Sequence, residues 1–139
     1  MNLKKLLLLP ISLALSAASC AGIGPNTTYY MGTTSFHYDP SYSPYMVKIN
    51  GSEVGGGGGG MNTSPVKVGL QTVTWKDAKT GELHSAKNEV VLTKDQLKDM
   101  KYLAAHLYPD DTVEITTSNN WPNQTDRGLE WLNKLKNKK

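Results

Sequence analysis

The chain has 139 residues, of which 38% are apolar and 19% charged. This composition is typical of a globular, turn-rich protein, and the length suits one domain of about 100–150 residues. Size and hydropathy exclude a two-domain enzyme and a multi-pass membrane protein. Residues 20–133 carry 9 basic and 12 acidic side chains. Nucleic-acid binding requires basic side chains spread over one face, so nucleic acid is not an expected partner.

The first 19 residues have the three zones of a secretory signal. Lys4 and Lys5 precede a short apolar run over residues 6–15, and small residues follow at 16–19. This order of a positive start, an apolar centre and a small-residue cleavage site defines an export signal. The apolar run is shorter than the roughly 20 residues that a membrane-spanning helix needs. We therefore predict a cleaved signal peptide over residues 1–19.

Cys20, the only cysteine, follows the predicted cleavage site and cannot form an internal disulfide. Residues 15–20, Leu-Ser-Ala-Ala-Ser-Cys, look like a bacterial lipobox, in which the cysteine receives a lipid and becomes the N-terminus. The alternative is ordinary cleavage that leaves an exposed thiol, a liability in an oxidising compartment, so we favour lipidation. Ala21 stands where inner-membrane retention signals have aspartate. The sequence therefore predicts an outer-membrane lipoprotein that faces the periplasm.

The first part of the mature chain predicts a tether followed by two strands. Residues 20–28 contain glycine and proline among small polar residues and predict a flexible tether, so a single domain is expected over 29–139. Residues 29–38 are rich in β-formers and predict a strand. A proline-punctuated turn separates them from a second predicted strand at 45–49. Asn50-Gly51 ends this strand with a strong turn signal.

The middle of the chain predicts a pair of strands. Residues 66–75 alternate in character and predict one continuous strand, with Val66 and Leu70 on one face and Trp75 on the other. Residues 82–92 are predicted to return as its partner after a short turn. The large indole of Trp75 is expected in the core.

A capping box marks the next element. Thr93 is followed three residues later by Gln96, a pattern typical of a helix start. A helix beginning there could extend to His106, but a Pro-Asp turn and the extended sequence at 112–117 favour a hairpin. We predict one helical turn near residues 94–100, followed by two strands.

The C-terminal segment predicts a helix. Thr125 or Asp126 can cap it, and Leu129, Leu132 and Leu135 recur every three residues. Its lysine-rich end suits the negative pole of the helix dipole. The predicted fold class is therefore mainly β (α+β): a small antiparallel β-sheet or sandwich domain with a C-terminal α-helix.

The sequence does not predict a catalytic, nucleotide or metal site. The spacing of glycines at residues 55–60 matches a dinucleotide-binding pattern. That pattern requires a helix at its end to bind the pyrophosphate, and here a strand is predicted to follow instead. His37, His84 and His106 lack the spacing of a zinc site, and Asp110-Asp111 suits a turn better than a calcium site. Paired glycosidase carboxylates meet only in a fold, and nothing in the sequence points to them. We expect no cofactor, no metal and no enzyme activity.

Three features together resemble a family of small bacterial lipoproteins. They are the strand 46–51, Met-Val-Lys-Ile-Asn-Gly, the glycine block, and the strand ending at 73–75 in Val-Thr-Trp. Family members share a strand ending in Asn-Gly, a glycine run, then a proline and a strand ending in Val-x-Trp. The resemblance covers residues 29–120, although many members carry cysteines where this chain has Met-Asn-Thr-Ser at 61–64. Most members have no known function, and some resemble immunity proteins of type VI secretion phospholipase effectors.

This resemblance implies a periplasmic protein that binds and neutralises a secreted lipase effector. Such a protein needs no catalytic group, and exposed tyrosine and tryptophan side chains are enriched at binding hot spots. The glycines could present backbone to a partner, or only let the chain pass a tight corner.

The rival hypothesis is a structural or envelope-associated lipoprotein whose basic tail touches lipid or cell wall. The predicted binding residues are Tyr42, Tyr45 and Trp121, with Tyr38 beside the same turn, and Gly55, Gly56, Gly57, Gly58, Gly59 and Gly60.

Overall fold

A computed structural model describes residues 27–56 and 60–137. The predicted signal peptide, the predicted lipidation site Cys20 and the glycines Gly57, Gly58 and Gly59 lie outside these described residues. The described residues form the following strands and helices: β1 Thr28–His37, β2 Pro44–Ile49, β3 Ser52–Glu53, β4 Asn62–Lys67, β5 Gly69–Gln71, β6 Val73–Asp77, β7 Leu83–Ser85, β8 Val90–Leu92, α1 Lys94–Leu97, β9 Tyr102–Leu107, β10 Val113–Ser118 and α2 Asp126–Lys136.

The strands form two four-stranded sheets and one two-stranded sheet. The first sheet has the order β10-β9-β1-β4, in which β1 and β9 run parallel and the other neighbours are antiparallel. The second sheet, β3-β2-β6-β7, is antiparallel throughout, and β5 pairs with β8. The predicted fold class is confirmed: the protein is mostly β, with small antiparallel and mixed sheets and a C-terminal helix.

One hydrophobic core joins the sheets. The first sheet contributes the buried side chains of Met31, Leu103 and Leu107, and the second contributes Val47 and Trp75. Trp75 has no exposed surface, which confirms its predicted place in the core. Burying an indole of this size is among the largest single hydrophobic contributions that a small domain can make.

The opposite side of the first sheet is here called its outer face. Gly32 of β1 pairs with Tyr102 of β9, and residues paired across strands share a face. Tyr30, Gly32, Tyr102, Ala104 and His106 therefore lie on the outer face. Ala104 and His106 are fully buried there, while Tyr30 is exposed. The outer face is thus covered at the His106 end and open at the Tyr30 end.

The prediction of one continuous strand over residues 66–75 is wrong. The backbone breaks at Val68 and Thr72, and Gly69 has a left-handed φ of +112°. As a result Leu70 is exposed, and the buried Gln71 donates hydrogen bonds from its amide to the carbonyls of Lys67 (2.6 Å) and Gly69 (2.9 Å). The side-chain amide thereby links the backbone on the two sides of the break at Val68.

The predicted partner segment 82–92 is divided in the same way. His84 of β7 pairs with Trp75 of β6, and Val91 of β8 pairs with Leu70 of β5. The pairing is therefore as predicted, but it is made by two short ladders and not one long one.

The capping signals and the hairpin are confirmed. Thr93 and Gln96 form the predicted capping box, and α1 is a single turn. The strands β9 and β10 follow. The turn that joins them contains Pro109 and Asp111, and Asp111 has a positive φ of +64°. Thr125 caps α2, and its hydroxyl accepts a hydrogen bond from the backbone N–H of Gly128.

A buried polar network attaches α2 to the outer face. The Tyr38 hydroxyl accepts a hydrogen bond from the Thr125 backbone N–H (3.2 Å) and is hydrogen-bonded to Nδ1 of His106 (2.8 Å). The opposite ring nitrogen of His106 lies 2.9 Å from the Thr116 hydroxyl. The Tyr108 hydroxyl donates to Glu114 at 2.6 Å and lies 2.8 Å from the Thr125 hydroxyl. Every hydroxyl and ring nitrogen named here therefore has a partner, as buried polar groups require.

Candidate binding surface

Three aromatic side chains, two of them exposed and the third partly buried, lie at the open end of the outer face. Tyr30 is 73% exposed and Trp121 is 64% exposed. The Tyr102 ring meets the Trp121 ring edge-on, with 5.6 Å between the ring centroids. We call Tyr30, Gly32, Tyr102, Trp121 and Met61 the aromatic patch.

Two side chains of the aromatic patch, those of Tyr102 and Met61, pack against the backbone of Gly32. A Cβ added at Gly32 would lie 3.1 Å from Cδ1 of Tyr102 and 3.2 Å from Sδ of Met61. The ring and the thioether therefore rest on the bare backbone of β1. The Met61 side chain is apolar and extends the apolar surface around Tyr102. Thioether sulfur and aromatic rings also make favourable contacts.

Hydrogen bonds fix the loop that carries Trp121. The backbone N–H of Lys101 donates to the side-chain oxygen of Asn119 (3.0 Å) and to the carbonyl of Ser118 (3.2 Å). The Ser118 hydroxyl donates to the carbonyl of Asn120 at 2.7 Å. The loop thus begins in a defined conformation, and Trp121 follows it directly.

The two ends of the glycine run meet beside β1. The Gly55 N–H donates to the Thr33 carbonyl at 3.1 Å, and the Ser35 hydroxyl donates to the Gly55 carbonyl at 2.6 Å. The Thr34 hydroxyl donates to the Gly60 carbonyl at 2.6 Å. A Cβ at Gly55 would overlap the Gly60 carbonyl group. Gly55 therefore allows a close backbone approach and serves the fold.

The end of the glycine run adjoins the aromatic patch. Gly60 is bound by Thr34, which lies two residues from Gly32 along β1 and so on the same face. The next residue, Met61, contacts the Gly32 position. The structure therefore brings the predicted site residues Gly60 and Trp121 to one region of the surface. Gly56 is exposed, with open space where a Cβ would lie.

The predicted tyrosines lie elsewhere. Tyr42 is half-buried: its hydroxyl accepts a hydrogen bond from Nε1 of Trp75 at 2.8 Å, and its ring stacks on His84 with 5.0 Å between centroids. Tyr45 is exposed on the second sheet, opposite Lys76. Tyr38 is fully buried, so the expectation that it offers contact area at the surface is wrong. Its ring is needed to hold α2.

Two smaller apolar pairs are exposed away from the aromatic patch. Leu70 and Val91 face each other across the two-stranded sheet. Tyr45 and Leu83 flank Lys76 on the second sheet. Each is an isolated pair, and single exposed apolar residues are normal on protein surfaces. They serve as comparison positions for the aromatic patch.

A cluster of histidine and aromatic rings joins the two four-stranded sheets. The His84 ring lies nearly parallel to the rings of both Tyr42 and Trp75, and its Nδ1 is 3.2 Å from the Asp111 carboxylate. His37 meets Tyr42 edge-on, and burial lowers the pKa of His37. Over residues 27–56 and 60–137, no group of three or more His, Cys, Asp or Glu side chains is arranged to hold a metal ion. The contacts of this cluster are those of a structural link.

Residues Tyr30, Gly32 and Tyr102 were not predicted as site residues. Tyr30 and Gly32 alternate with the buried Met31, so the period of a strand places them on one face. That pattern could have indicated an exposed tyrosine beside a glycine. The neighbour that completes the patch, Tyr102, comes from a strand 70 positions later in the sequence, and no local signal shows this pairing.

Within the part of the chain that the structure describes, no helix is long and apolar enough to cross a membrane. Comparison of the chain with protein-family models, with curated proteins and with solved structures gives no match. The features of the molecule that bear on function are therefore the predicted export signal and lipobox at the N-terminus and the geometry of the aromatic patch.

Proposed function

We propose that the protein is a lipid-anchored periplasmic binding protein that uses the aromatic patch to hold a protein partner. The observation that carries this proposal is the exposure of Tyr30 and Trp121 around the bare backbone of Gly32. Exposed aromatic groups gathered at one place indicate an interaction surface, and tyrosine and tryptophan dominate the energetics of protein interfaces.

The aromatic patch is already arranged for binding. Tyr102 and Gly32 are held in a hydrogen-bonded sheet, and Trp121 follows a loop fixed by hydrogen bonds. Aromatic side chains have only two rotatable bonds, so little conformational entropy is lost when they are covered. A rigid surface of this kind binds more tightly than a flexible one of equal area.

The partner we propose is a secreted lipase effector of a type VI secretion system. The sequence resemblance to immunity lipoproteins supports this choice, and a lipid on Cys20 would keep the protein in the compartment that the effector enters. The proposed role requires a rigid scaffold, an exposed contact surface and an anchor. It requires no catalytic group in this chain.

A competition experiment tests the immunity role. A strain that lacks the gene is grown in contact with its parent, whose type VI secretion is active. The deletion strain should lose viability, and the full-length protein should restore it. Trp121→Ala and Tyr102→Ala should restore it poorly, although the protein accumulates in the envelope. Tyr45→Ala, which removes an exposed ring on the second sheet, is the matched control and should protect fully.

Two results would contradict the immunity proposal. Equal survival of the deletion strain and its parent would mean that the protein does not neutralise an effector. An envelope that leaks in the absence of any attacker would instead favour the rival structural role. A lipase gene beside this one would supply the effector for a direct binding measurement, in which Trp121→Ala should weaken affinity by about tenfold or more.

A further inference from the structure

One flank of α2 combines basic and aromatic side chains. Arg127, Trp131 and Lys134 follow each other at helical spacing and so share one flank. Together with Glu130 they line a shallow groove. The Lys134 ammonium lies over the Trp131 ring, 5.0 Å from its centroid. The half-exposed Arg127 guanidinium instead lies over the Tyr108 ring and 3.6 Å from the Asp110 carboxylate. A tryptophan ring beside a lysine is suited to the headgroup region of a membrane.

The charge of the chain changes sign at this helix. Residues 20–130 have more acidic than basic side chains, whereas residues 131–139 contain four lysines and no acidic residue. The negative pole of the helix dipole accounts for lysines in the last turn of α2, but not for a partly exposed tryptophan beside them. The combined pattern is complementary to a negatively charged surface.

The proposed lipid anchor places such a surface within reach. Seven positions separate Cys20 from Thr27, and a chain of that length spans at most about 25 Å. Strand β1 has ten residues and is therefore about 33 Å long. If β1 lies along the membrane, the domain can bring α2 to the lipid headgroups without stretching the tether.

We propose that the flank of α2 formed by Trp131 and Lys134 binds the anionic phospholipid surface next to the lipid anchor. Each Lys or Arg near an anionic surface strengthens binding about fivefold. The inference rests on the proposed function only through the lipid on Cys20. The contact would hold the domain flat on the membrane, which is the surface that a phospholipase must reach.

Tryptophan fluorescence in vesicles tests this contact. Full-length lipoprotein carrying Trp121→Phe is reconstituted into vesicles that contain brominated phosphatidylcholine, with or without phosphatidylglycerol. Trp75 has no exposed surface, so Trp131 reports contact with the quenching lipid. Quenching should be about twofold stronger in the vesicles with phosphatidylglycerol, and high salt should remove the difference. Adding Trp131→Phe should also remove it.

A charge-matched pair of variants identifies the surface. Lys134→Glu should abolish the extra quenching, whereas Lys79→Glu changes the net charge equally and should leave it intact. Both lysines are exposed, so little change in folding is expected. The same loss in both variants would overturn the proposal, because it would show that only net charge matters.

The remaining outcomes are equally decisive. Weak quenching in both kinds of vesicle, or strong quenching in both, would overturn a contact that depends on anionic lipid. The mass of the purified protein shows separately whether Cys20 carries acyl chains. If it carries none, flotation of the protein with phosphatidylglycerol vesicles supports the α2 contact, and failure to float overturns it, so the anchor and the contact are judged independently.

Discussion

The backbone of Gly128 lies directly against the ring of Tyr38, so closely that a Cβ at position 128 would overlap the ring. Gly128 is the buried residue of α2, while Tyr38 is fully enclosed by the helix and the outer face of the sheet. The Tyr38 ring stacks on Tyr108 with 5.4 Å between centroids. The position of the C-terminal helix therefore depends on a residue that has no side chain.

Gly128→Ala should destabilise the protein although alanine favours helix formation. Alanine gains about 1 kcal/mol in helix propensity, but an extra methyl group in a filled site costs about 1–3 kcal/mol. Urea unfolding should show a net loss of stability. Asn133→Ala, at an exposed position of the same helix, is the matched control and should leave stability equal or slightly higher. A stabilised Gly128→Ala would show that α2 does not pack on Tyr38 as described.

The two described ends of the glycine run allow a second test. Gly55→Ala should destabilise the protein by about 1–3 kcal/mol or more, because its Cβ would overlap the Gly60 carbonyl. Gly56→Ala should change stability by less than about 0.5 kcal/mol, because the space around Gly56 is open. Thermal unfolding of the two variants separates these cases. Equal melting temperatures would mean that the run is a spacer at both positions.

Affinity for the partner distinguishes a contact role at the same positions. If Gly56→Ala weakens binding while the melting temperature is unchanged, the run contributes to the binding surface. If it changes neither, Gly56 takes no part in the binding surface.

The features predicted from sequence are those set by neighbouring residues. Asn50-Gly51 forms its turn because both residues adopt positive φ, +51° and +83°. Thr93 and Thr125 cap helices because their hydroxyls reach N–H groups three residues ahead. Gly69 interrupts the alternating pattern of residues 66–75, which predicts one continuous strand. Its left-handed backbone changes which of the following side chains face the core.

The candidate site depends on pairing that the sequence does not show. β1 and β9 run parallel, and this places Gly32 beside Tyr102 although 70 positions separate them. Trp121 was predicted as a binding residue from its type and its loop, and it is exposed. Tyr38 has the same chemical character but is buried, because the Gly128 backbone of α2 packs on its ring.

The protein should lose stability in mild acid because of His106. Burial lowers the pKa of His106 from 6.5 to about 4, and both ring nitrogens are hydrogen-bonded to hydroxyl groups, those of Tyr38 and Thr116. Between pH 6.5 and 4 the unfolded chain binds a proton at this residue and the folded protein does not. The free energy of unfolding therefore decreases as the pH is lowered through this range. The full effect is about 3 kcal/mol. The lowered pKa of His37 acts in the same direction.

Urea unfolding at several pH values between 7.5 and 4 measures this effect. His106→Gln should be less stable at pH 7.5, since the network with Tyr38 and Thr116 is disturbed. It should also lose less stability on acidification than the wild type. A wild-type protein with constant stability over this range would show that His106 is not held neutral by burial.

The lipid anchor provides the last prediction. Cys20→Ala should yield a protein that takes up no labelled fatty acid and leaves the membrane fraction, because the only lipid acceptor of the predicted lipobox is removed. Ala21→Asp is the matched control: it should keep the lipid but move the protein to the inner membrane, as an aspartate at that position resembles a retention signal. Metabolic labelling and separation of the two membranes measure both effects. If Cys20→Ala still sediments with the outer membrane without detergent, the anchor does not depend on this cysteine and the lipoprotein proposal fails.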